Sequence, residues 1–147
     1  MLAPARDRTA GAFLVKPEHT RTVRSSLGPD RWLCVEQMVP AGTDPAKARE
    51  IGRRAITSYL TAPGYRDNVQ RLGFTLDDIE RKSDRLVDAL VAWGDDLAIR
   101  RRLDKHFAAG ADHVCVQALR ADGEPGPDLE LLERLAPGGD QSSARRV

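Results

Sequence analysis

Two runs in this chain, Trp32 to Val39 and Asp112 to Leu119, combine β-branched and bulky apolar residues in the manner of strands, and a long stretch of helical pattern separates them. Strands that far apart, with helices between them, return to the same sheet by a crossover and lie parallel. A third and shorter apolar run, Ala12 to Val15, precedes them and reads as another strand. The expected class is therefore α/β with about three parallel strands.

The punctuation between the strands is explicit. Pro17 and Glu18 suit a first helical turn, and Gly28-Pro29 stops the helix, which is expected over Pro17 to Leu27. Asp44 caps the next helix and Pro45 opens it. Ala48, Ile51, Ala55 and Tyr59 recur at helical spacing, so it reaches Leu60. Pro63-Gly64 reads as a break. Shorter helices are expected over Tyr65 to Leu72, Leu76 to Glu80 (capped by Thr75) and Asp84 to Val91 (capped by Ser83). Asp95 caps a further helix whose stripe is Ile99, Leu103 and Phe107, with Gly110 past its carboxyl end. Pro127 is expected to open a last helix ending near Leu135. Residues 1–10 read as a frayed end or the remnant of a helix, and residues 137–147 as a disordered tail.

A parallel sheet is normally covered on both faces, and three strands cannot close a barrel. A complete (β/α)8 barrel needs roughly 250 residues. Strand count and length therefore point to an incomplete α/β unit.

Charge narrows the partners. Twenty-three basic residues against 22 acidic ones give a net charge of +1, which argues against a nucleic-acid footprint or a polybasic membrane surface. No apolar stretch approaches a membrane span and no signal-peptide core opens the chain, so a soluble cytoplasmic protein is expected. Cys34 and Cys115 lie in apolar runs and read as buried free thiols. His113 and Cys115 share a strand face, but two groups make no closed zinc site, and no metal is expected.

Several blocks, in order, resemble one family. They are Val15-Lys16-Pro17-Glu18-His19-Thr20, Val35-Glu36-Gln37, Tyr59-Leu60 through Arg71-Leu72-Gly73-Phe74, Leu86 through Asp95, and His106 through Gln117. Together they resemble the luciferase-like monooxygenase superfamily, in its coenzyme F-420-dependent oxidoreductase branch, over about residues 10–136. The resemblance implies a (β/α)8 barrel with a helical insert, so that residues 11–136 would form a partial (β/α)8 TIM barrel, its carboxyl-terminal half. It implies hydride transfer to or from an organic substrate with coenzyme F-420, or reduced FMN as the alternative. It also implies a homo-oligomer, or pairing with a missing amino-terminal half. Nothing in the chain matches the first four strands, which build much of the family's isoalloxazine pocket.

In such a barrel functional groups gather at the carboxyl ends of strands. Glu36 and Gln37 hold that place on the second strand, and Gln117 ends the last one on the inward face. With Tyr65 and Arg66 of the insert they are the candidate substrate pocket. The plainer readings are a bonded carboxylate, a satisfied core amide and solvated surface residues. Glu18, His19 and Thr20 open a helix, whose free amides attract phosphate, so a cofactor tail is placed there and at Gly11. An ordinary helix start is the plainer and preferred reading of them. His113 reads as structural, and Trp93 and Phe74 as packing residues. No residue is assigned as catalytic. Three functions compete: an oxidoreductase half-barrel, truncated and inactive alone; a non-catalytic remnant or subunit acting by self-association or partner binding; and a complete small α/β enzyme of another class.

Overall fold

The computed structural model describes residues 9–138. Strands β1 (Thr9–Ala12), β2 (Trp32–Pro40) and β3 (His113–Leu119) form one sheet in the order β1-β2-β3, parallel throughout. Helix α1 (Pro17–Leu27) joins β1 to β2. Between β2 and β3 run α2 (Pro45–Leu60), α3 (Pro63–Arg71), α4 (Leu76–Arg81), α5 (Asp84–Leu90) and α6 (Asp96–Ala108), and α7 (Leu129–Leu135) follows β3. The expected class, α/β with three parallel strands, is what the chain adopts.

Local chemistry sets the boundaries. The Asp44 carboxylate accepts from the amides of Ala46 and Lys47 at 2.9 and 3.2 Å, which fixes the start of α2. Thr75 and Asp78 form a reciprocal capping box at α4. Ser83, Asp95 and Asp128 each accept an amide hydrogen bond at the start of α5, α6 and α7.

Strand alternation then divides the sheet into two unlike faces. Leu33, Val35, Gln37 and Val39 of β2, with Val114, Val116 and Ala118 beside them on β3, face α1, α6 and α7. Both crossover helices that lead into a strand, α1 and α6, thus lie on one face. The opposite face carries Cys34, Glu36 and Met38, paired with His113, Cys115 and Gln117, and Gly11 lies beside Cys34. Only its carboxyl end is covered: Met38 is buried against a cluster that includes Ile56, Leu60, Phe74 and Leu90 of α2 to α5. Toward the amino ends this second face meets solvent.

Five expectations need correction. The first strand is Thr9–Ala12, not Ala12 to Val15, and Thr9 and Ala10 are strand rather than a frayed end or remnant helix. Leu14 turns the chain at φ 55°, and Leu14 and Val15 are each 2% exposed because both sides of that turn are packed. The helical stretch does break after Leu60, but Pro63 and Gly64 are already the first turn of α3, which starts before Tyr65. Pro127 bridges back to Leu119, so α7 starts later, behind Asp128. On α6 the stripe begins at buried Ile99 as expected but ends on buried His106, whereas Phe107 is 49% exposed. Finally, Cys115 is exposed and Cys34 half-buried, because both point to the uncovered face. Residues 1–8 and 139–147 of the two terminal expectations lie outside the described residues; Pro137 and Gly138 form a turn.

Candidate functional site

A polar group sits at mid-strand on β2 and β3, where α2 begins to cover the sheet on the way to its carboxyl end. Glu36 and Cys115 are paired across the two strands. The Tyr59 hydroxyl on α2 donates to Glu36 Oε1 at 2.9 Å, and the Tyr65 ring meets the Tyr59 ring edge-on at 5.3 Å between centroids. Burial, helped by the neighbouring carboxylate, pushes the Tyr59 phenol up to about 12, so it stays a donor at any ordinary pH. An open groove of about 440 Å³ runs along this end, lined by Glu36, Cys115, Val116, Gln117, Ala118, Leu119, Gly126 and Pro127. Glu36 and Gln117 are therefore together, as the sequence placed them, but Gln117 is exposed and not a satisfied core amide.

Gln37 does not belong with them. Its parity puts it on the helix-covered face, where it is fully buried. Its amide nitrogen donates to the carbonyls of Met38 and Leu90, each at 3.0 Å. That leaves Oε1 facing His106 Nε2 at 3.0 Å, while His106 Nδ1 lies 2.8 Å from Thr20 Oγ1. An amide oxygen only accepts, so His106 Nε2 carries the hydrogen and Nδ1 accepts from Thr20. Burial, then the Arg102 charge, lowers the His106 imidazole to about 4, which keeps it neutral. One polar chain thus ties α1, α6, β2 and the end of α5 together.

This chain also consumes the expected phosphate turn. Thr20 is fully buried with its hydroxyl on His106. Burial and the nearby Lys16 ammonium lower His19, which stays uncharged at neutral pH and adds no anion-binding charge. Glu18 is exposed and acidic. Gly11 is not near that turn in function: a side chain there would meet the Phe13 ring at 3.2 Å on the uncovered sheet face. Arg66 pairs with Glu80 at 3.2 Å and lines a different hollow with Thr57, Leu60, Thr61, Ile79 and Lys82. Of Tyr65 and Arg66, Tyr65 reaches the Glu36 group, through the Tyr59 ring.

The insert itself is clamped. Arg49 of α2 grips Asp88 with two bonds, at 2.9 and 2.7 Å, and its guanidinium lies 5.3 Å over the Trp93 ring. The Trp93 indole donates to the same carboxylate at 2.9 Å. Arg49 above all, then Trp93, holds the Asp88 carboxyl below the usual range. Phe74 lies between two cations, Arg85 at 4.6 Å and Lys16 at 5.6 Å. Trp93 and Phe74 pack as the sequence suggested, and each also carries a cation on its ring.

Tyr59 and His106 are the two residues that sequence reasoning passed over. Tyr59 was assigned to the buried stripe of its helix, and only the sheet beneath reveals that its hydroxyl reaches a carboxylate. His106 opens one of the resembling blocks, but its place one position before the expected Phe107 gives no sign that it is the residue that turns into the core. Among the described residues no three His, Cys, Asp or Glu side chains converge as metal ligands, and no helix is long and apolar enough to cross a membrane. The fold and site define an α/β unit with a parallel sheet covered fully on one side only. No family model, curated protein or solved structure matches the chain.

Proposed function

We propose that this chain is the carboxyl-terminal arc of a (β/α)8-barrel oxidoreductase of the luciferase-like kind, dependent on coenzyme F-420 or FMN, and incomplete as a catalyst without further strands. The observation that carries the reading is the sidedness of the sheet. Strands in consecutive order, with both crossover helices on one face, are what an arc of a barrel requires; a doubly wound sheet puts its helices on both faces. The α2 to α5 segment then corresponds to an insert over the carboxyl mouth, where such enzymes place their chemistry.

The residues present fit one wall of a cofactor or substrate site. The Glu36 carboxylate and the Gln117 amide stand on adjoining strands and border the same groove. Both can take hydrogen bonds from a planar polar ring edge or a substrate hydroxyl. The reduced deazaflavin or flavin, when bound, supplies the hydride. Tyr59 orients Glu36 by occupying Oε1, and the insert excludes water from that side. The start of α1 supports the phosphate-bearing tail only weakly, because the Thr20 hydroxyl is committed to His106 and burial, with the Lys16 charge, lowers the His19 pKa. Cytoplasmic placement accords with the absence of a spanning helix among the described residues.

Titration of the protein with F-420 and with FMN, followed by quenching of cofactor fluorescence, tests the reading. Quenching by one of them, weakened at least tenfold in Glu36→Gln, is expected. No change with either cofactor, at concentrations where the protein is assembled, favours the other function, a non-catalytic module. The exposed aromatic residues of the uncovered face, Phe13 and Trp32, are the observation that supports that second reading.

A further inference from the structure

The carboxylates that this chain withdraws from solvent are, with one exception, committed. Asp78 pairs with Arg85, Asp88 with Arg49 and Asp96 with Arg134, and Asp128 caps α7. Glu36 is the exception. It is half-buried, and its partner among the described residues is the neutral Tyr59 hydroxyl, on Oε1. Taking a carboxylate out of water costs free energy unless a cation or hydrogen-bond donors replace the water. One phenol serves one oxygen, and the other is left to the groove that Glu36 lines.

The groove brings no cation to it. Around Glu36 stand the Cys115 thiol, the Gln117 amide and the apolar groups of Val116, Leu119 and Pro127. With 23 basic residues in the chain, none is among those lining this space of about 440 Å³. Arginines do stand nearby, but they border the neighbouring hollow. There Arg120 is held by Asp122, and Arg54 reaches the Ala121 carbonyl at 3.3 Å.

We propose that the groove binds an organic ammonium ion, so that the substrate class is a primary amine with a small apolar body. This rests on the reading of the groove as a substrate wall and narrows it. An ammonium only donates, and the acceptors it needs are present: the free Glu36 oxygen, and the Gln117 amide oxygen one pleat along the same face. Its hydrocarbon lies against Val116, Leu119 and Pro127. A carboxylate or phosphate in its place meets the Glu36 charge and is repelled. A neutral alcohol makes the same hydrogen bond without the charge, and charge-assisted bonds are roughly twice as strong.

Benzylamine, benzyl alcohol and benzoate share a ring and differ in charge. Calorimetric titration of each into the full chain, at neutral pH and without cofactor, tests the proposal. Benzylamine is expected to bind at least tenfold more tightly than benzyl alcohol, and benzoate not at all. Saturating benzylamine should slow alkylation of Cys115, which lines the groove. Glu36→Gln keeps an acceptor for Tyr59 and should abolish the preference for amine over alcohol. Should that variant fail to fold, the charge series and the Cys115 protection in the native chain decide. No binding of benzylamine, equal binding of the alcohol, binding of benzoate or an unprotected Cys115 overturns the proposal, as does a folded Glu36→Gln that keeps the preference. Cofactor quenching is read separately. Amine selectivity in a chain that quenches neither F-420 nor FMN keeps the amine site and removes the oxidoreductase; quenching without amine selectivity does the reverse.

Discussion

His106 has no contact with solvent, and its two ring nitrogens have one partner each. That arrangement makes acid the enemy of the fold. The imidazole titrates near 4 in the folded chain and near 6.5 in the unfolded one. Because the folded value is depressed, its contribution is complete above the unfolded value and is lost as pH falls from there toward 4. Between pH 7 and 5 this one group should cost about 2 kcal/mol of stability. Urea unfolding at the two pH values measures it, and His106→Asn should remove most of the pH dependence while lowering stability overall. Little of this was legible beforehand. Thr20, Gln37 and His106 are far apart in sequence, and each alone reads as a surface or site residue. Only the parity of β2, with Leu33 and Val35 buried beside Gln37, could have moved Gln37 out of the pocket.

At the scale of elements, α2 crosses α5 at Gly52. A methyl group there would meet Val87 Cγ1 at 2.9 Å and Val91 Cγ2 at 3.2 Å, and valine has no flexible end to yield. Gly52→Ala gains about 1 kcal/mol in helix propensity but incurs overpacking of about 1–3 kcal/mol. Net destabilisation near 1 kcal/mol is expected by chemical denaturation, and Val87→Ala in the same chain should relieve the clash. Element boundaries were well marked in the sequence where a capping side chain exists. Asp44, Thr75, Ser83 and Asp95 each stand where a helix starts. They were misread where proline was ambiguous, since Pro63 opens a helix and Pro127 does not. The β1 strand was misplaced because Leu14 and Val15 are buried in a turn, and apolar composition records burial rather than strand geometry. Parallel pairing was legible from spacing alone; the bare face was not, because Cys115 and Gln117 sit in a run that reads as apolar.

At the scale of the whole molecule the sheet has one dry side and one side that is only half covered. The same sheet carries a further consequence, in time rather than space. β2 is the middle strand, and its β3 partner arrives roughly seventy residues later, which at ~5–20 residues per second is a delay of several seconds on the ribosome. Through that interval a valine- and leucine-bearing edge waits without its neighbour. The α2 to α5 segment, made in that interval, can shelter only the Met38 side of β2; the Val39 side waits for α6, which is completed just before β3.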